Sequence, residues 1–119
     1  MQDGNQRPHR TSPRYARQVA VNVNGLEIVT TSVAAGGVQL YCPEMRYAGL
    51  QQAQRDGKTA LKLRIPGTHL WVAVDGHTRY ADLSNDEYLI GFQFGEFVDH
   101  QESDWAGYIA TLVNAKPIR

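Results

Sequence analysis

The feature that most constrains this chain is a succession of short runs of alternating apolar and polar residues, each closed by turn-forming residues. Val19, Val21 and Val23 alternate with Ala20 and Asn22, the two-residue period of a strand with one buried face. Asn24-Gly25 follows, and both residues tolerate the positive φ of a two-residue hairpin turn. Residues 26–33 form a second β-branched run, broken by Ala34-Ala35-Gly36-Gly37. Val38, Leu40 and Cys42 then alternate as a third strand that Pro43 stops. Residues 43–57 read as a long connection with a helical turn near Leu50-Gln51-Gln52-Ala53. Alternation resumes at Leu61, Leu63 and Ile65, and again at Leu70, Val72 and Val74, with Pro66-Gly67 between them. Asp75-Gly76 reads as a further turn, leading to a strand over 78–81. Ser84-Asn85-Asp86 turns the chain into a last strand, 88–94, with Ile90, Phe92 and Phe94 on one face.

The ending has a different period. Trp105, Tyr108, Ile109, Leu112 and Val113 fall at i, i+3, i+4, i+7 and i+8, one stripe of an α-helix. Asp99 and Glu102 have capping-box spacing at its start, and Asn114 and Pro117 mark its end. With 119 residues there is room for one domain. The expected architecture is mostly β: six or seven short antiparallel strands closed into a barrel, followed by one helix packed through Trp105, Ile109 and Leu112. Closure removes exposed strand edges. The barrel and helix are expected over residues 14–114, with 115–119 as a tail. Segment 1–13 has no apolar face and is expected to be a flexible basic arm.

Composition narrows the function. Twelve Lys and Arg balance twelve Asp and Glu, which argues against a uniformly basic nucleic-acid binder. The neutral total hides an asymmetry. Segment 1–18 carries Arg7, Arg10, Arg14 and Arg17 against Asp3 alone, whereas segment 82–104 carries seven acids and no Lys or Arg. No apolar run reaches the ~20 residues of a membrane span. The polar N-terminus does not resemble a secretory signal, so a cytoplasmic location is expected. The single cysteine, Cys42, excludes an internal disulfide. His9, His69, His77 and His100 share no metal-ligand spacing, and His77 after Asp75-Gly76 reads as a turn residue. No phosphate-binding glycine loop, HExxH or GxSxG is present, so the chain is expected not to be an enzyme and to need no cofactor. Trp71 has the parity opposite to Leu70 and Val72, facing solvent or a partner.

Two features stand out. One is the arginine series Arg10-Thr11-Ser12-Pro13-Arg14-Tyr15-Ala16-Arg17, leading straight into the first strand. Guanidinium forks suit phosphate and guanine edges. The other is the strand–turn–strand segment from Thr31 to Leu40, where Gly36 and Gly37 either admit a ligand close to the backbone or only turn the hairpin.

In these two features and their order the sequence resembles a bacterial PilZ domain. That family joins an RxxxR motif to a (D/N)xSxxG motif at the end of the second strand, on a six-stranded antiparallel barrel with a C-terminal helix. The resemblance spans residues 10–113. It implies binding of cyclic di-GMP and relay of that signal to a protein partner in motility, pilus, polysaccharide or virulence machinery. Arg10 and Arg14 satisfy RxxxR literally, but the position just before the first strand belongs to Arg17, and in that register the first arginine is replaced by Pro13. In the second motif Ser32 stands at the acid or amide position and Ala34 at the serine, and only Gly37 matches. A carboxylate accepts two hydrogens from a guanine edge; Ser32 is a weaker acceptor and the Ala34 side chain offers none. The resemblance thus assigns ligand contact to Arg10, Arg14, Arg17, Ser32, Ala34, Gly36 and Gly37, with weakened nucleotide binding. The alternative is a protein-interaction module on the same fold that has lost the nucleotide. A barrel binding single-stranded nucleic acid fits less well, for want of strands interleaving cations with exposed aromatics.

Overall fold

The computed structural model describes residues 13–113. In chain order the elements are β1 (Ala20–Val23), β2 (Leu26–Ala34), β3 (Gly37–Pro43), α1 (Glu44–Gln52), β4 (Gln54–Arg55), β5 (Lys58–Arg64), β6 (Trp71–Ser84), β7 (Glu87–Phe97), a 3-10 turn at Val98–His100, and α2 (Glu102–Ala110). The strands follow the hydrogen-bonded order β1-β2-β3-β7-β6-β5-β4, and every pairing is antiparallel. A further pairing, Val21 with Leu63 and Asn22 with Lys62, joins β1 to β5 and closes six strands into a barrel. The two-residue β4 stays outside as an addition to β5.

Period-two alternation makes the inside of the barrel. Val21, Leu40, Leu61, Leu63, Val72 and Ile90 are completely buried, while Lys58, Lys62 and Arg64 on β5 face water. The hairpin turns use left-handed residues where the sequence supplies Asn, Asp or Gly: Asn24 and Gly25, and again Asn85 and Asp86, have positive φ.

The terminal helix packs as its stripe predicts. Trp105 is 1 % exposed and meets Phe94 edge-on at a centroid distance of 5.7 Å. Its indole Nε1–H donates to the Ala34 carbonyl at 3.0 Å, tying α2 to the end of β2. Leu112, in the turn after α2, is buried; Tyr108 and Ile109 are half-buried against the core, and Val113 at the end of the stripe is exposed.

Several local expectations are corrected. Asp75-Gly76 is not a turn: β6 runs unbroken through it. Gly76 pairs with Thr59 and Phe94, and a Cβ there would press on the Leu61 and Phe92 side chains. Packing therefore sets that glycine, and His77 is a strand residue paired with Lys58. The connection 43–57 holds a nine-residue helix and a hairpin strand rather than one helical turn. Leu50 is the helix's single buried residue, so it carries no apolar stripe to read. Asp99 does not cap α2; it sits in a left-handed turn at φ 51°, and among the described residues no side chain caps the helix. Leu70, expected in a strand with Val72 and Val74, precedes β6 and is exposed. The arm residues 1–12, with Arg7 and Arg10, lie outside the described residues, as do Asn114, Pro117 and the tail 115–119.

Candidate functional site

The outer face of the barrel across β2, β3, β7 and β6 carries an open cleft of about 530 Å³. Its floor follows from register. Ser32 pairs with Gln39 and Ala34 with Gly37; next, Gln39 pairs with Gly91 and Gly37 with Gln93; last, Gly91 pairs with Tyr80. Side chains of paired residues share a face. Two glycines, Gly37 and Gly91, therefore alternate with two glutamines, Gln39 and Gln93, and leave the backbone open between them.

The segment 13–18, which continues the arm into β1, supplies one wall. Tyr15 is buried and bridges Val33 through two backbone hydrogen bonds of 2.8 and 2.9 Å. With Tyr15 turned into the core, its neighbour Arg14 is exposed on the outside, and its Nη2 donates to the Ser32 hydroxyl at 3.1 Å. Ser32 is 2 % exposed, so this hydroxyl has little access to water and its guanidinium partner matters.

β6 supplies the opposite wall through a register shift. Pairing with β7 moves from Thr78–Phe92 to Tyr80–Gly91, leaving Arg79 as the extra residue. Arg79 Nη1 donates to Gln93 Oε1 at 2.6 Å. The Tyr80 ring lies on Gly91, where any Cβ would collide with it. Tyr80 is held by Gln39 Nε2, which donates to its phenol oxygen at 2.6 Å, while Thr31 Oγ1 donates to Gln39 Oε1 at 3.0 Å. Thr31 is the extra residue of a second register shift, in β2 opposite β3. Among the described residues two guanidiniums line the cleft and no carboxylate does, so it is an anion-accepting surface with one aromatic ring on its floor.

Five of the seven residues anticipated from the sequence line this cleft: Arg14, Ser32, Ala34, Gly36 and Gly37. Their roles differ. A Cβ on Gly37 would strike the Phe92 carbonyl, so close β3–β7 approach alone requires that glycine. Among the described residues nothing stands within 4 Å of a Cβ on Gly36, and its carbonyl accepts the Phe94 amide at 2.8 Å. The carbonyl of Ala34 is occupied by Trp105. Arg17 is separated from Arg14. Its carbonyl accepts the Thr30 hydroxyl at 2.7 Å, anchoring the arm, while its guanidinium donates to the Ala16 carbonyl at the lip of a different cleft. Arg17 also stands near Tyr108. Burial pushes that phenol up from its ordinary value of 10.0, and the guanidinium pulls the other way. Arg10 lies outside the described residues. Sequence reasoning missed Gln39, Arg79, Tyr80 and Gln93, because cross-strand register brings them in. The one local signal was Gly91, a glycine inside an apolar strand, which marks a close approach.

Elsewhere the chemistry is sparse. Cys42 is buried, and desolvation pushes its thiol up from 9.0, which suppresses the reactive thiolate; Arg46 opposes this weakly. Among the described residues no group of three or more His, Cys, Asp or Glu stands close enough to hold a metal, and no helix is long and apolar enough to cross a membrane.

Comparison with known proteins adds the fold. No family model matches this sequence, and no curated protein matches it. Among solved structures, the Bacillus subtilis inhibitor of motility (MotI/DgrA) superposes with a TM-score of 0.67 at 15% identity, over 94% of this chain and 55% of that one. The chain thus spans about half the length of that structure. What the two share is architecture, and this chain is a PilZ-like six-stranded antiparallel barrel with a C-terminal helix.

Proposed function

We propose that this chain is a non-enzymatic cytoplasmic signalling module of the PilZ type, with the Arg14 cleft as its receptor face for cyclic di-GMP, held at low affinity. The signal passes to a protein partner in motility, pilus or polysaccharide machinery, in keeping with a structural neighbour described as an inhibitor of motility. One observation carries the reading: residues from both resembling motifs meet in one cationic cleft, where the Arg14 guanidinium is bonded to Ser32. A cyclic dinucleotide has two phosphates and two flat bases. Arg14 and Arg79 offer forks for the phosphates or guanine edges, and Tyr80 offers a flat surface. Low affinity follows from the second motif. A hydroxyl at 32 cannot grip the guanine edge as a carboxylate does, and one of the five Arg14 N–H donors is already given to Ser32.

That same Arg14–Ser32 bond favours the second reading, a protein-interaction module without nucleotide, because the buried Ser32 hydroxyl already has a partner within the chain. An NMR titration with cyclic di-GMP separates the two. The first reading expects amide shifts confined to residues around Arg14, Ser32, Gln39, Tyr80 and Gln93, still rising at high micromolar ligand. Shifts elsewhere, or none at millimolar ligand, would reject it in favour of the second.

A further inference from the structure

We infer that the Arg17 cleft is the contact face of a two-fold dimer of this chain. This goes beyond the function proposed above and does not depend on what the Arg14 cleft binds. The cleft, of about 560 Å³, lies over the arm, β2, β3 and the start of β7. Its floor is apolar and open: Val29 is 50% exposed, Tyr41 44% exposed, and Ile28 and Pro43 adjoin them. Tyr41 pairs with the half-buried Leu89, which extends the apolar surface onto β7. Large apolar side chains clustered in one exposed concavity are a mark of an interaction site.

The occupant is argued from charge. The arm lies on one side of β2 and β3, and β7 lies on the other. Arg17 therefore stands at one lip and Glu87 at the opposite lip, with Val29 and Tyr41 between them. A two-fold axis through the Tyr41 region carries each Arg17 to the other copy's Glu87 and lays apolar floor on apolar floor. An isologous interface must be self-complementary in this way. An apolar centre with a tyrosine, rimmed by charge, is also ordinary interface anatomy. The guanidinium of Arg17 donates only to the adjacent Ala16 carbonyl among the described residues, so it is free to meet a carboxylate. Thr31 lines this cleft and donates to Gln39 in the other, so the two faces share one hydrogen-bond chain.

The test is sedimentation velocity on the full chain at low salt. A face of a few exposed apolar side chains rimmed by solvent-exposed ion pairs predicts weak association, with the sedimentation coefficient rising between about 10 μM and about 1 mM. Tyr41→Glu changes an exposed outer residue and is expected to weaken association by about tenfold or more. Arg17→Glu and Glu87→Arg should each weaken it, and the double reversal should restore it; circular dichroism confirms that each variant is folded. A wild type that stays monomeric through the range would overturn the proposal. So would a dimer indifferent to Tyr41→Glu, or a loss in the single reversals that the double reversal fails to rescue.

Discussion

Trp105 joins the terminal helix to the barrel through two separable interactions, so two substitutions divide its contribution. Trp105→Phe keeps a ring against Phe94 and Tyr108 but removes the Nε1–H that donates to Ala34 at 3.0 Å. The Ala34 carbonyl keeps its hairpin partner Gly37 and loses only the donor from α2, and one such hydrogen bond contributes about 0.5–1.5 kcal/mol net. Trp105→Ala also removes a ring that is 1 % exposed, and such truncations cost about 3–5 kcal/mol. We therefore expect about 1 kcal/mol for Phe and about 4 kcal/mol for Ala, against a typical domain stability of about 5–15 kcal/mol. With a urea m-value of about 1.5 kcal/mol/M, the midpoint should fall by about 0.7 M for Phe and nearly 3 M for Ala. Urea unfolding followed by far-UV circular dichroism reads both. Equal losses for the two variants would refute the division between ring and hydrogen bond. A midpoint moved by less than about 0.5 M in Trp105→Ala would mean that α2 does not stabilise the barrel.

Three further outcomes follow from local geometry. Gly37→Ala must push the Phe92 carbonyl aside and should cost about 2 kcal/mol or more, whereas Gly36→Ala meets open space and should stay within about 0.5 kcal/mol of wild type; thermal unfolding of the pair checks this. Leu112→Ala, at a site 7 % exposed, should cost about 2–3 kcal/mol, near the lower end for a buried leucine, as read by urea denaturation. Cys42 gives a pH dependence: its folded pKa lies above the ordinary 9.0, so above that value the folded state holds more protons than the unfolded one. The thiol's contribution is therefore complete below pH 9 and is lost as pH rises through the folded pKa. Cys42→Ala should flatten that decline, measured as stability against pH.

The barrel was legible because each strand advertises one buried face: Val19, Val21 and Val23, or Leu61 and Leu63, need no tertiary context to be read. The misreadings came where context overrides the local signal. Asp56-Gly57 turns the chain with positive φ at both residues, yet Asp75-Gly76 runs straight, because Gly76 is selected to fit against Leu61 and Phe92. α1 was missed because it buries Leu50 alone and leaves Met45 in water. The site was half legible. Arg14, Ser32 and the glycines lie in local motifs, but Arg79 and Tyr80 reach the cleft only through a one-residue register shift and the pairing of β6 with β7. Arg17 could not be told from Arg14 by spacing. What separates them is Tyr15, whose burial sends Arg14 outward over Ser32, and Thr30, which holds the Arg17 backbone from the other side.

The Arg14 cleft is proposed above as a cyclic di-GMP site weakened at positions 32 and 34. Calorimetry with cyclic di-GMP on the wild type and on Ser32→Asp/Ala34→Ser tests it most directly. The substitutions return a carboxylate and a hydroxyl to the cleft, and one hydrogen bond to a charged group contributes about 1.5–3 kcal/mol. The double variant should therefore bind roughly ten- to a hundredfold more tightly than the wild type, and Arg14→Ala on that background should remove the gain. Submicromolar binding by the wild type, or no gain in the double variant, would contradict the account.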